Sequence, residues 1–101
     1  MSSKGQKQRI IEALERGETV SYRAKGNSMT PIIYSGQKVT LKPVKIENLK
    51  KGDAVFCKVK GSCFTHLVTA IKPGQVQISN NHGYVNGWTR KVYGILVKVE
   101  S

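Results

Sequence analysis

The spacing of apolar residues changes period along this 101-residue chain. In residues 8–16, apolar side chains such as Ile10 and Leu14 recur at helical spacing, and Gly17 follows as a C-cap signal. The pattern predicts one helix of two or three turns. Residues 1–7 are polar and are expected to be frayed.

After the first third of the chain the period becomes two, which predicts short β-strands. The expected strands, separated by turns rich in Gly, Pro and Asn, cover residues 39–42, 54–59, 63–71, 75–78 and 92–99. Residues 79–87 consist almost entirely of turn-forming residues and predict a loop. Together these patterns predict a single domain over residues 1–101. Its fold is mostly β, a small coiled antiparallel sheet or partly open barrel with one N-terminal helix.

The charge of the chain is strongly positive, with 17 Lys and Arg against 6 Asp and Glu and a formal net charge of +11. Such an excess indicates nucleic acid, an anionic surface or an acidic partner, with solubility alone as the alternative. The period of two places Lys38 with Lys42, and Lys58 with Lys60, on one face of their strands. These four lysines are the candidate nucleic-acid-binding residues.

The sequence contains no apolar run near the roughly 18–20 residues of a membrane span. We therefore expect a cytoplasmic protein without membrane contact. Cys57 and Cys63 are expected to be free thiols in a reducing cytosol, facing each other if they flank a hairpin centred near Lys60. Two cysteines and two distant histidines do not form a zinc-binding set, so neither a metal nor a cofactor is expected.

Ser28 lies in a segment of turn-forming residues, after Gly26 and Asn27 and before Pro31. Because glycine allows positive φ and proline fixes φ, Ser28 is expected on a non-repetitive turn ahead of a strand. Such a turn can present the hydroxyl and leave nearby backbone N–H groups unpaired, as a serine nucleophile with an oxyanion site requires. The alternative is an ordinary serine on a surface turn.

Several short motifs follow one another in a distinctive order. They are Gly26-Asn27-Ser28-Met29-Thr30-Pro31, Ser35-Gly36, Gly52-Asp53-Ala54-Val55, Thr65-His66-Leu67-Val68 and, last, Val92-Tyr93-Gly94-Ile95-Leu96-Val97. In order and separation they resemble the boxes of the LexA-like and type I signal-peptidase-like serine peptidase superfamily, over about residues 20–99. More loosely, the chain resembles short repressor-peptidase-like proteins of phages and mobile elements.

The resemblance implies a small serine peptidase that acts on a peptide or protein substrate. Ser28 matches the nucleophile, and His66 matches the general base of the variant that uses histidine. The backbone around Asn27, Ser28 and Met29 matches the place of the oxyanion donors.

Some positions depart from the superfamily pattern. They are Gln37 in place of an aspartate, Leu67 in place of an arginine, and Asn80 and Asn81 where the histidine variant has an aspartate. An asparagine can orient His66 through a hydrogen bond but carries no charge to stabilise an imidazolium. Two hypotheses therefore stand: a serine peptidase with a Ser28–His66 dyad, or a weakly active or inactive member that binds nucleic acid or protein through its basic surface.

Overall fold

The computed structural model describes residues 5–101, and within them one helix precedes an antiparallel sheet. The elements are α1 (Gln6–Glu15), β1 (Val20–Arg23), β2 (Lys38–Pro43), β3 (Ala54–Val59), β4 (Ser62–Lys72), β5 (Gln75–Ser79), β6 (Val85–Thr89) and β7 (Val92–Glu100). A 3-10 turn, Ile46–Asn48, lies between β2 and β3. The seven described strands pair in the order β1-β2-β7-β3-β4-β5-β6, with β1 and β6 as edges, so the sheet is not closed. The predicted class, mostly β and antiparallel with one N-terminal helix, is confirmed.

Both faces of the sheet carry a hydrophobic core, because successive side chains of a strand point to opposite faces. On β3, Phe56 joins a cluster that includes α1, β2 and the segment after β1. Its neighbours Val55 and Cys57 join a second cluster with residues of β4 and β5. The helix α1 therefore covers the first cluster on one face of the sheet. On the other face, the sheet curves so that β6 approaches β3.

The helix α1 can lie close to the sheet because residue 94 of β7, which faces Leu14 of α1, is a glycine and has no side chain. A Cβ atom at this position would lie 2.9 Å from both Leu14 methyl groups and 2.9 Å from the Lys42 carbonyl oxygen. The Leu14 side chain could change rotamer to avoid this Cβ atom. The Lys42 carbonyl belongs to the backbone of β2, so it cannot move without disturbing the strand. Gly94 therefore sets the distance between α1 and the sheet.

We expect Gly94→Ala to lower the free energy of unfolding by about 1–3 kcal/mol, the usual cost of overpacking a close-packed interior. Urea denaturation followed by circular dichroism measures the change. The matched control is Gly5→Ala, since no atom lies within 4 Å of a Cβ there. A Gly94→Ala protein as stable as the Gly5→Ala protein would contradict a close approach of α1 to the sheet at Gly94.

Two boundaries differ from the sequence predictions. The helix begins at Gln6, so residues 6 and 7 are helical rather than frayed, whereas residues 1–4 of the predicted frayed segment lie outside the described residues. The loop predicted over residues 79–87 is wrong at its end, because β6 begins at Val85. A register shift between Ile78 and Ser79, and a φ of 137° at Gly87, let these turn-forming residues pair as a strand.

The hairpin between β3 and β4 also differs from expectation. Lys58 pairs with Cys63 and Cys57 pairs with Phe64, so the two cysteines lie on opposite faces of the sheet and do not face each other. Both are free thiols, as expected. Burial raises the pKa of Cys57 to about 12, so this thiol stays protonated. No helix in the described part of the chain is long and apolar enough to cross a membrane.

Candidate active site

The turn that carries Ser28 is held between β1 and β2 by backbone hydrogen bonds and by buried side chains. Beyond β1, the Ala24 N–H donates to the Gln37 carbonyl at 2.9 Å, so the two ends of the turn stay together. Met29 and Ile33 are each only 4% exposed and anchor the turn in the core. Ser28 itself is exposed. Local sequence thus fixes the backbone of the turn and leaves the hydroxyl at the surface.

Ser28 and His66 are in contact: the Ser28 Oγ lies 3.0 Å from the His66 Nε2. This distance meets the geometric expectation from the sequence, whereas the catalytic role of the pair stays a prediction. His66 lies in the middle of β4 and is 7% exposed. Its ring stacks on Phe64, two residues earlier on the same strand, with the ring centroids 4.2 Å apart. The imidazole is therefore fixed by a strand and an aromatic ring, while the hydroxyl it meets is open to solvent.

The other ring nitrogen of His66 meets Asn86, from edge strand β6. The His66 Nδ1 lies 2.8 Å from the Asn86 Oδ1. Because an amide oxygen only accepts, this contact places the proton on Nδ1 and leaves Nε2 free to accept from the Ser28 hydroxyl. The sequence placed the orienting group at Asn80 or Asn81, and that placement is wrong: Asn86 occupies it.

Burial of the imidazole lowers the pKa of His66 below its ordinary value of 6.5, and the Asn86 hydrogen bond opposes the shift more weakly. Among residues 5–101 no acidic side chain forms an ion pair with the ring, so no ion pair there offsets the cost of burying the imidazolium cation. At neutral pH His66 is therefore neutral, which is the form a general base needs.

Three backbone N–H groups at and beside Ser28 have no hydrogen-bond partner within residues 5–101. Within residues 5–101, the N–H groups of Asn27, Ser28 and Met29 donate no hydrogen bond to another residue. Unpaired donors next to a nucleophile can stabilise the negative charge of a tetrahedral intermediate. These are the positions at which the sequence places the oxyanion donors.

Asn80 and Asn81 have other roles, both in the loop between β5 and β6. The Asn80 Oδ1 accepts from the N–H groups of His82 at 2.8 Å and Tyr84 at 3.0 Å, which closes this loop. The Asn81 N–H donates to the Ser28 carbonyl at 3.0 Å, and its side-chain amide donates to the Thr30 carbonyl at 2.9 Å. Asn81 therefore ties the loop to the turn that carries Ser28.

His82 makes a second connection between the same segments. Its Nε2 lies 3.1 Å from both the Thr30 Oγ1 and the Asn27 carbonyl oxygen. The Thr30 hydroxyl also donates to the Asn27 carbonyl, at 3.1 Å. The turn around Ser28 is thus supported from outside by the loop of residues 80–84.

A cavity of about 230 Å³ opens beside Ser28 and His66. Its wall is mostly apolar and comes from α1, β1, the turn that carries Ser28, β3 and β4. The large apolar and aromatic side chains in this wall are Ile10, Tyr22, Met29, Ile33, Phe56 and Phe64. Among residues 5–101, no group of three or more His, Cys, Asp or Glu side chains is placed to bind a metal ion.

The four candidate nucleic-acid-binding lysines are not brought together at this site. Lys38 and Lys42 are exposed on β2 while the residues between them include the fully buried Val39 and Leu41, so the shared face predicted for that pair is present. The prediction that Lys58 and Lys60 lie on the same face of one strand is wrong. Lys58 is half-buried on β3, and Lys60 lies in the hairpin turn with a φ of 52°, outside any strand.

No protein-family model matches the chain, and no curated protein is significantly similar to it in sequence. The assignment of roles at this site therefore depends on its geometry. Two contributors were not singled out from the sequence, Asn86 and Phe64. The period of two on β4 places Phe64 on the face of His66, but a contact from β6 depends on how the sheet curves.

Proposed function

We propose that this chain is a serine hydrolase that cleaves a peptide bond, with Ser28 as nucleophile, His66 as general base and Asn86 as the residue that orients His66. The observation that supports it most is the continuous contact from the exposed hydroxyl through the imidazole to the amide, 3.0 Å and 2.8 Å long. The order of motifs also supports a LexA-like form of the sheet. Asn86, the third residue of this arrangement, carries no charge and so forms no ion pair with the imidazolium of His66. We therefore expect a lower catalytic rate than that of an enzyme with an aspartate at this position.

The reaction follows from these contacts. The Ser28 oxygen attacks the peptide carbonyl while Nε2 of His66 takes the hydroxyl proton, and the N–H groups of the turn receive the oxyanion. The imidazolium then gives that proton to the leaving amine, which departs as the C–N bond breaks and leaves an ester on Ser28. Water, deprotonated by the same imidazole, hydrolyses the ester and restores the enzyme.

Hydrolysis of a fluorescence-quenched peptide library by the purified chain tests the proposal. We expect cleavage by the wild-type protein and none above background by Ser28→Ala. The matched control is Ser62→Ala, because Ser62 is also exposed but lies at the start of β4 and does not line the cavity. Equal cleavage by the wild type and Ser28→Ala, or no cleavage of any library member, would contradict a serine hydrolase.

A second candidate function, binding of nucleic acid, is supported by the distribution of charge. Every Lys and Arg in residues 5–101 is exposed except Lys58, and the acidic side chains Glu18 and Glu100 are already paired with Arg16 and Lys98. The exposed cations are distributed along the described sequence, from Lys7 in α1 to Lys98 in β7, which suits weak binding without sequence preference.

We expect single-stranded DNA to bind weakly at low salt, with an affinity that falls steeply as salt rises, because bound cations are released from the phosphates. Fluorescence anisotropy with an unstructured oligonucleotide at several salt concentrations measures this. Lys38→Glu with Lys42→Glu should weaken binding about as much as any other pair of exposed lysines. No binding at low salt, or binding indifferent to salt, would remove this candidate.

A further inference from the structure

The cavity beside Ser28 is apolar inside and cationic at its mouth. Its volume of about 230 Å³ is below the roughly 300–1,000 Å³ of clefts that take drug-sized ligands. This size suits one apolar side chain. The hydroxyl groups of Tyr22 and Thr65 in its wall are hydrogen-bonded to each other, so each already has a partner within the protein.

Three cations from two separate segments meet at the mouth. Lys7 comes from the first turn of α1, whereas Arg23 and Lys25 come from the end of β1 and the residues after it. All three are exposed, and in residues 5–101 none forms a salt bridge. Among these residues no Asp or Glu lines the cavity. The positive charge at the mouth is therefore uncompensated.

Among residues 5–101, Arg23 is the one of these three cations whose side chain is hydrogen-bonded to the protein. Its Nη1 donates to the Gly36 carbonyl at 2.9 Å, which holds the guanidinium beside the nucleophile turn. A guanidinium has five N–H donors, so several remain for a carboxylate. Lys7 and Lys25 are exposed lining residues of the same cavity and add two further positive charges.

We propose that the site selects peptides with an apolar side chain that fills the cavity and an acidic side chain nearby in sequence. The inference rests on the proposed function, because it names the substrate class of the same site. The mostly apolar wall favours an apolar side chain over a base, since burying the polar edges of a base costs free energy wherever an edge lacks a hydrogen-bond partner. The cations at the mouth then receive a carboxylate.

Binding to Ser28→Ala tests this selection without requiring turnover. Two fluorescein-labelled peptides share a central leucine and differ only in flanking residues, glutamate in one and lysine in the other. By fluorescence anisotropy at moderate salt, we expect the acidic peptide to bind about tenfold more tightly, since a few exposed charge pairs each contribute modestly. Equal affinity for the two peptides would overturn the inference.

Charge reversal at the mouth locates the effect. Lys7→Glu with Lys25→Glu should abolish the preference for the acidic peptide. The control, Lys45→Glu with Lys51→Glu, makes the same change in net charge at exposed positions that do not line the cavity, and should keep most of it. If both double variants lose the preference for the acidic peptide equally, the inference is overturned, because the preference would then depend only on the net charge of the protein. An oligonucleotide that binds at the mouth while neither peptide does would also overturn it.

The two proposals fail in different ways. Selective binding of the acidic peptide by Ser28→Ala, with no cleavage of it by the wild type, contradicts the hydrolase and leaves the recognition site. Cleavage of both peptides with the same kcat/KM contradicts the recognition site and leaves the hydrolase.

Discussion

Replacing His66 with alanine is expected to lower kcat for peptide hydrolysis by about 10²- to 10⁴-fold, the usual contribution of a positioned proton-transfer group, and replacing Ser28 should lower it at least as much because no nucleophile then remains. The reason is the single 3.0 Å contact that joins them. Without His66 the hydroxyl keeps its proton, and without Ser28 the imidazole has no nucleophile to activate. The double variant should therefore be no slower than the slower single variant.

The measurement is steady-state hydrolysis by the two single variants and the double variant, with circular dichroism to verify that each folds. His82→Ala serves as the matched control, since this histidine contacts the nucleophile turn but not the Ser28 hydroxyl. If the effects of the two single variants multiply in the double variant, the side chains act separately and do not form a dyad.

Asn86→Asp is expected to raise kcat about tenfold, far less than the ~10⁴-fold lost when the aspartate of a Ser-His-Asp triad becomes asparagine. Much of that loss comes from a wrong tautomer, and the Asn86 Oδ1 at 2.8 Å already favours the right one. The aspartate adds only its charge, which stabilises the imidazolium. Asn86→Ala removes the acceptor altogether, so we expect kcat to fall.

The pH profile separates this electrostatic effect from a merely structural one. Burial holds the pKa of His66 below 6.5, so wild-type kcat/KM should increase with pH through a midpoint below 6.5 and then level off. In Asn86→Asp the midpoint should move to higher pH, because the carboxylate favours the protonated ring. Asn48→Asp, which adds the same charge at an exposed position in the 3-10 turn, should leave the midpoint unchanged. An unmoved midpoint in Asn86→Asp would contradict the role of Asn86.

The parts of the fold that depend on local sequence could be predicted. The helical spacing of Ile10 and Leu14 identifies α1, and the period of two identifies most strands. Glycine and proline around Ser28 likewise indicate an exposed turn, because their backbone preferences act locally. The start of the helix differs from its prediction by two residues, as the ends of helices depend on weak capping preferences.

The parts that depend on distant segments could not be predicted. Asn86 lies between Val85 and Gly87 in a stretch that favours turns, and only pairing with β5 makes it a strand that reaches His66. The gathering of Lys7 with Arg23 at one cavity depends on how closely α1 approaches the sheet, which Gly94 controls through a single missing side chain. Neither arrangement leaves a periodic signal.

Activation of Ser28 by His66 underlies the proposed hydrolysis, and it can be measured as the rate at which a fluorophosphonate labels the chain. The reagent reports a nucleophilic serine without knowledge of the substrate, and intact-mass spectrometry followed by peptide mapping locates the adduct. We predict one adduct, on Ser28, formed at least about 100-fold more slowly in His66→Ala at neutral pH. No adduct, an adduct on another residue, or an equal labelling rate in His66→Ala would contradict the activation of Ser28 by His66.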